Sequence, residues 1–139
     1  MALIAVAADK GAPGVTTACL ALTLVWPRAV LLAECDPAGG DLVYRLPGAP
    51  GGQLDPGRGL LSLAVAARRG LSPGQVLEHA QKLRGGLDVL VGVVGAEQGT
   101  GLEPLWGPVT AAMRSRSRTT SSSEARVTST TEDAYANRS

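Results

Sequence analysis

The chain has 139 residues, of which 45% are apolar, with a net charge of +1, no Phe and only 3% aromatics. That length and apolar content allow one globular domain with a core of Leu, Val and Ala, and the near-neutral charge argues neither for nor against a nucleic-acid partner. Cys19 and Cys35 form no disulfide framework or CxxC metal pattern, no basic leader precedes the first apolar run, and the longest such run, 18–25, is far too short to span a membrane, so a cytoplasmic protein is expected.

Leu3, Ile4 and Val6 read as a short buried strand. From Thr16 the chain reads as a helix through Ala18, Cys19, Leu20, Ala21, Leu22 and Leu24, ending near Trp26 because Pro27 disfavours helical backbone in the residue before it. Between strand and helix lies Lys10-Gly11-Ala12-Pro13-Gly14-Val15-Thr16-Thr17. A Gly-rich turn that opens a helix turns backbone N–H groups and the positive end of the helix dipole toward one point, which suits phosphate. Against the general phosphate-loop pattern G-x-x-x-x-G-K-S/T the match is partial. Gly14 takes the second glycine and Thr16 the Mg²⁺-binding hydroxyl, but Asp9 replaces the first glycine and Val15 the lysine.

The register of Lys10 adds a resemblance. The segment is similar to the deviant loop K-G-G-x-G-K-T-T/S of the ParA/MinD-like NTPases. Lys10, Gly11, Gly14, Thr16 and Thr17 match, Ala12 replaces a glycine, and Val15 is the departure. Residues 29–33 then read as a second buried strand, parallel to the first across a βαβ crossover. It runs into Glu34-Cys35-Asp36-Pro37-Ala38-Gly39-Gly40-Asp41. In such sheets ligands bind at the carboxyl ends of strands. This stretch resembles the D-x-D-P or C-D-P element of the same family, with Glu34 and Asp36 in its acidic positions. A simpler reading makes Asp36-Pro37 a turn and Asp41 a helix cap.

Residues 46–59, rich in Gly and Pro, should form a surface loop, preceded by an exposed Tyr44-Arg45 pair. Residues 59–69 read as a helix closed by Arg68, Arg69 and Gly70. Ser72-Pro73-Gly74-Gln75 starts another helix, expected to run to about Leu83, with His79 on its surface. Gly85-Gly86 is a turn, and residues 87–94 read as a third buried strand with Glu97 just beyond its carboxyl end. A further helix starts at Pro104.

After Met113 the composition changes. Residues 114–139 hold many Ser, Thr and Arg, one Val and no Leu or Ile, and a disordered tail is expected. An out-of-frame reading of a longer gene would account for such a break, and the competing reading is a genuine low-complexity tail with Arg114, Arg116 and Arg118 as a weak nucleic-acid or phosphosite segment. The family would next supply a strand ending in an acid, and that motif is missing.

The expected fold is α/β: a truncated, P-loop NTPase-like three-layer α/β/α domain over residues 1–113 with a mostly parallel sheet, followed by the tail 114–139. The resemblance implies ATP and Mg²⁺ as cofactors. Lys10, Gly11, Ala12, Pro13, Gly14, Val15, Thr16 and Thr17 would surround the phosphates, Thr16 and Asp36 would hold the metal, and Asp36 and Lys10 would serve catalysis. It also implies a homodimer through the nucleotide face and a further protein partner, while DNA or membrane association finds no support in the sequence itself. Val15 removes the charge aimed at the phosphates, so weak nucleotide binding and little or no hydrolysis are expected. The alternatives are a non-enzymatic pseudo-NTPase scaffold or regulator, or a non-functional gene fragment.

Overall fold

Strand β2, Val30–Glu34, anchors the sheet. Its Leu31, Leu32 and Ala33 are almost wholly buried, as an uninterrupted apolar run in a parallel strand should be when both faces are covered. The structure is a computed structural model and describes residues 3–9, 13–119 and 126–130. In chain order, β1 (Leu3–Ala5) leads to helix α1 (Val15–Leu24), β2 and the short helix α2 (Leu42–Arg45). Helices α3 (Leu60–Ala67) and α4 (Gln75–Glu78) follow, then strands β3 (Gln81–Lys82) and β4 (Asp88–Leu90). Helix α5 (Ala96–Thr100), a 3-10 turn (Glu103–Leu105), helix α6 (Trp106–Thr119) and strand β5 (Arg126–Thr130) complete the order.

The sheet order is β1-β5-β2-β4-β3. Strands β1, β5, β2 and β4 are parallel, and β3 runs antiparallel to β4 at the edge. The expected parallel relation of β1 and β2 therefore holds, with β5 between them. Alternate residues feed two cores. Leu31, Ala33 and Leu90 face the layer of α3 and α6, with Leu60, Leu63, Val109 and Met113. Leu32, Val89 and Val91 face the layer of α1 and α2, with Cys19, Leu42 and Val43. Each fully buried Leu or Val contributes roughly 1.5–3 kcal/mol relative to exposure.

Helix α1 contains no Gly or Pro, and its buried Thr23 satisfies its hydroxyl by donating to the Leu20 carbonyl at 2.8 Å. Residues 46–59 form the expected loop, pinned by isolated bridges from Pro47 to Gln53 and from Gly48 to Leu83.

Two expectations change. The helix expected to reach Leu83 stops at Glu78, and Gln81–Lys82 is strand β3. Gly85 and Gly86 both adopt positive φ, 107° and 91°, a backbone open to glycine at little cost. That turn folds 81–83 back on β4, where the Leu83 N–H donates to the Leu87 carbonyl at 2.8 Å. Ladder bonds of this kind replace what further helical turns would supply. Secondly, two stretches of the segment expected to be a disordered tail carry regular structure. Helix α6 continues to Thr119, and Arg126–Thr130 forms β5.

Candidate functional site

Because β1, β2 and β4 are parallel, the loops that follow them leave from one edge of the sheet. This edge carries three segments singled out in the sequence: the β1–α1 loop, the turn after β2, and the turn after β4.

The β1–α1 loop ends at Gly14, the N-cap of α1, with φ 105° and ψ −5°. Its left-handed backbone suits glycine, and nothing lies within 4 Å of where a β-carbon would stand. The Gly14 carbonyl accepts from the Ala18 N–H at 2.8 Å and so starts the helix. No side chain caps α1, so its first N–H groups have no intrahelical partners. Pro13 and Gly14 are exposed, Thr16 is half-buried and Thr17 exposed. Val15 is half-buried and packs against the core of Cys19, Leu32 and Val91. Lys10, Gly11 and Ala12 lie outside the described residues.

The β2 exit is tied down. Glu34 is 3% exposed. Its Oε1 accepts from the N–H groups of Asp41 at 3.2 Å and Leu42 at 3.4 Å, and its Oε2 accepts from the Gly92 N–H at 3.2 Å. One carboxylate thus joins the end of β2, the start of α2 and the chain beyond β4. Burial raises the Glu34 carboxyl above its ordinary range, while the hydrogen bonds from Gly92, Leu42 and Asp41 pull it back and the nearby Asp41 charge adds to the rise. Glycine clears the space around this group. A β-carbon at Gly40 would overlap the Glu34 carboxylate, and one at Gly92 would come within 2.8 Å of the Glu34 carbonyl oxygen. The Gly40 N–H donates to the Val93 carbonyl at 2.7 Å, and Gly99 in α5 sits flush on the Pro37 carbonyl.

Asp36 is exposed. Its Oδ1 accepts from the Ala38 N–H at 2.8 Å, and its carbonyl accepts from Gly39 at 3.2 Å. This is the turn-forming use of Asp before Pro, and it occupies one carboxylate oxygen. Asp41 precedes α2 without capping it through its side chain and instead pairs with Arg45 at 3.5 Å. Tyr44 is exposed, as expected of that pair.

Among the described residues no group of three or more His, Cys, Asp or Glu gathers as a metal site. Thr16 is the first hydroxyl after β1, and Asp36 is the first exposed carboxylate after β2. A β-carbon at Gly14 would meet none of the described residues, no side chain caps the start of α1, and Val15 adds no charge there.

The sequence reading missed two features. Glu34 appeared there as one of two acids at the edge, whereas the structure buries it as a structural tie. A buried run ending in Glu, followed by Gly39-Gly40, was the available signal. His79, expected on a helix surface, lies just after α4 and is half-buried. Its Nδ1 is 2.8 Å from the Ser62 hydroxyl, which also accepts from the Gly59 N–H at 3.0 Å at the start of α3. Glu97 is exposed on α5.

No family model, curated protein or solved structure matches the chain. No helix among the described residues is long and apolar enough to cross a membrane.

Proposed function

We propose that this α/β protein is a degenerate relative of the ParA/MinD-like, P-loop NTPase-fold proteins, retaining a backbone phosphate cradle and having lost most of its catalytic power. The observation that carries the reading is the β1–α1 junction, where left-handed Gly14 begins a helix that no side chain caps while half-buried Val15 packs against the core. In this reading the N–H groups of Gly14, Val15, Thr16 and Thr17 hold the phosphates of ATP. The Thr16 hydroxyl and the Asp36 carboxylate hold Mg²⁺, and Lys10 contributes charge from the loop. ATP would supply the transferable phosphoryl group. The protein's own part is to bind and orient it, and without a lysine at position 15 hydrolysis is slow or absent. A homodimer through this edge, a protein partner and a cytoplasmic location belong to the same proposal.

Calorimetry with ATP and Mg²⁺ tests it. Weak binding is expected for the native chain. Val15→Lys restores a charge-assisted hydrogen bond of about 1.5–3 kcal/mol, so affinity should rise by about tenfold or more. One observation favours a second reading, a non-enzymatic scaffold: Val15 belongs to the core of the α1 layer. If Val15→Lys folds and still binds no nucleotide, the scaffold reading takes precedence.

A further inference from the structure

One interior strand of the sheet, β5, is ill suited to its place between β1 and β2. β5 pairs in parallel with β1 on one edge and β2 on the other. Helix α1 lies against β2 and β5, and α6 lies against β1 from the other layer. A parallel strand paired on both edges between strands of a covered sheet ordinarily reads as a continuous apolar run. β2 reads Val-Leu-Leu-Ala-Glu, while β5 reads Arg-Val-Thr-Ser-Thr. The register makes the mismatch specific. Val127 is level with Leu3 and Leu31, Thr128 with Ile4 and Leu32, and Ser129 with Ala5 and Ala33. Only Val127 shares the apolar character of its level.

We propose that the slot between β1 and β2 is an acceptor site for an apolar extended segment of another polypeptide, with β5 as its displaceable occupant. The register defines the partner. It enters parallel to β1 and β2, carries no charge over five residues, and places branched aliphatic residues at the levels of Val127 and Thr128. At the level of Ser129 its neighbours are two alanines, so a larger apolar side chain suits that position. Such strand addition takes affinity from main-chain hydrogen bonds and specificity from side chains. β5 makes the same ladder, so exchange loses no main-chain bonds and replaces hydroxyl-bearing residues by apolar ones. Until a partner arrives, β5 keeps two apolar strand edges from standing open, which guards against aggregation. The inference does not depend on nucleotide binding.

The test uses the full chain and a fluorescent peptide carrying Val-Val-Ile-Leu-Val between flanking lysines, read by anisotropy. Saturable binding is expected, with none for a control peptide bearing Asp at the central position. Thr128→Val strengthens the resident strand, so peptide affinity should fall several-fold. Val127→Pro removes one ladder donor, a loss that corresponds to about tenfold, so affinity should rise by that factor. Should Val127→Pro fail to fold, the native chain against Thr128→Val decides alone. Equal affinities for those two, or no binding to the native chain, overturns the proposal. A concentration-dependent dimer formed without peptide also overturns it, in favour of strand exchange between copies.

Discussion

Two loops leave the same edge of the sheet and are built on opposite plans. After β2 the chain is fastened at every step, by three N–H groups on the buried Glu34 carboxylate, by Gly40 on the Val93 carbonyl, and by Gly99 against Pro37. After β1 the described end of the loop meets open space, and its glycine is there for backbone conformation alone. Glycine therefore serves close packing in one loop and handedness in the other. The fastened loop gives this edge its shape.

Glu34→Ala breaks this contrast most severely. It strands three N–H groups in or near the core, each costing about 1–3 kcal/mol when buried and unpaired, so an overall loss of about 3 kcal/mol is expected in urea unfolding. A loss below about 1 kcal/mol would show that water takes over those donors. Gly99→Ala comes next. Its β-carbon would overlap backbone at Pro37 rather than a movable side chain, and overpacking of that kind costs roughly 1–3 kcal/mol. Gly14→Ala should cost only about 1 kcal/mol, the left-handed penalty without any clash. The paired glycine variants sharpen the comparison, because equal thermal shifts would mean that the two loops are not built differently.

The smallest effect is in pH. The Glu34 carboxyl is raised in the folded state above its ordinary value of about 4.5. Between those two values the folded protein binds more protons than the unfolded chain, so stability falls as pH rises. Glu34 therefore contributes most below about pH 4.5, and that contribution declines as pH climbs through the raised folded value. Thermal melts of the native chain and of Glu34→Gln, which mimics the protonated carboxyl, should agree most closely below this range, and the native chain should lose stability relative to the variant as pH rises. A native chain that instead gains on the variant as pH rises would mean that the three N–H groups outweigh burial.

Much of this was legible in the sequence where one physical cause dominated. The apolar run ahead of Glu34 gave a buried strand, Pro27 placed the end of α1 to within a few residues, and Gly14 marked a turn into a helix. Legibility failed where distant groups decided the outcome. Nothing near Gln81 in the chain announces that its side chain will accept from the Asp55 N–H at 2.8 Å and donate to the Asp55 carbonyl, or that a double glycine will convert the expected last helical turn into β3. The pairing of Arg126–Thr130 with β1 and β2 runs against its own composition. Glu34 was read for its charge because an acid at a strand end suggests chemistry, yet its partners at 41, 42 and 92 become neighbours only in the folded chain.

The placement of the two cysteines has a practical consequence. Cys19 is buried in the layer of α1 and Cys35 in the layer of α3 and α6, on opposite faces of the sheet, and neither is in a disulfide. Burial also raises the Cys19 thiol, further slowing its reaction with alkylating reagents. Each layer thus carries its own internal clock. The rates at which the two thiols become labelled report separately how often each side of the sheet opens, with no probe added to the chain.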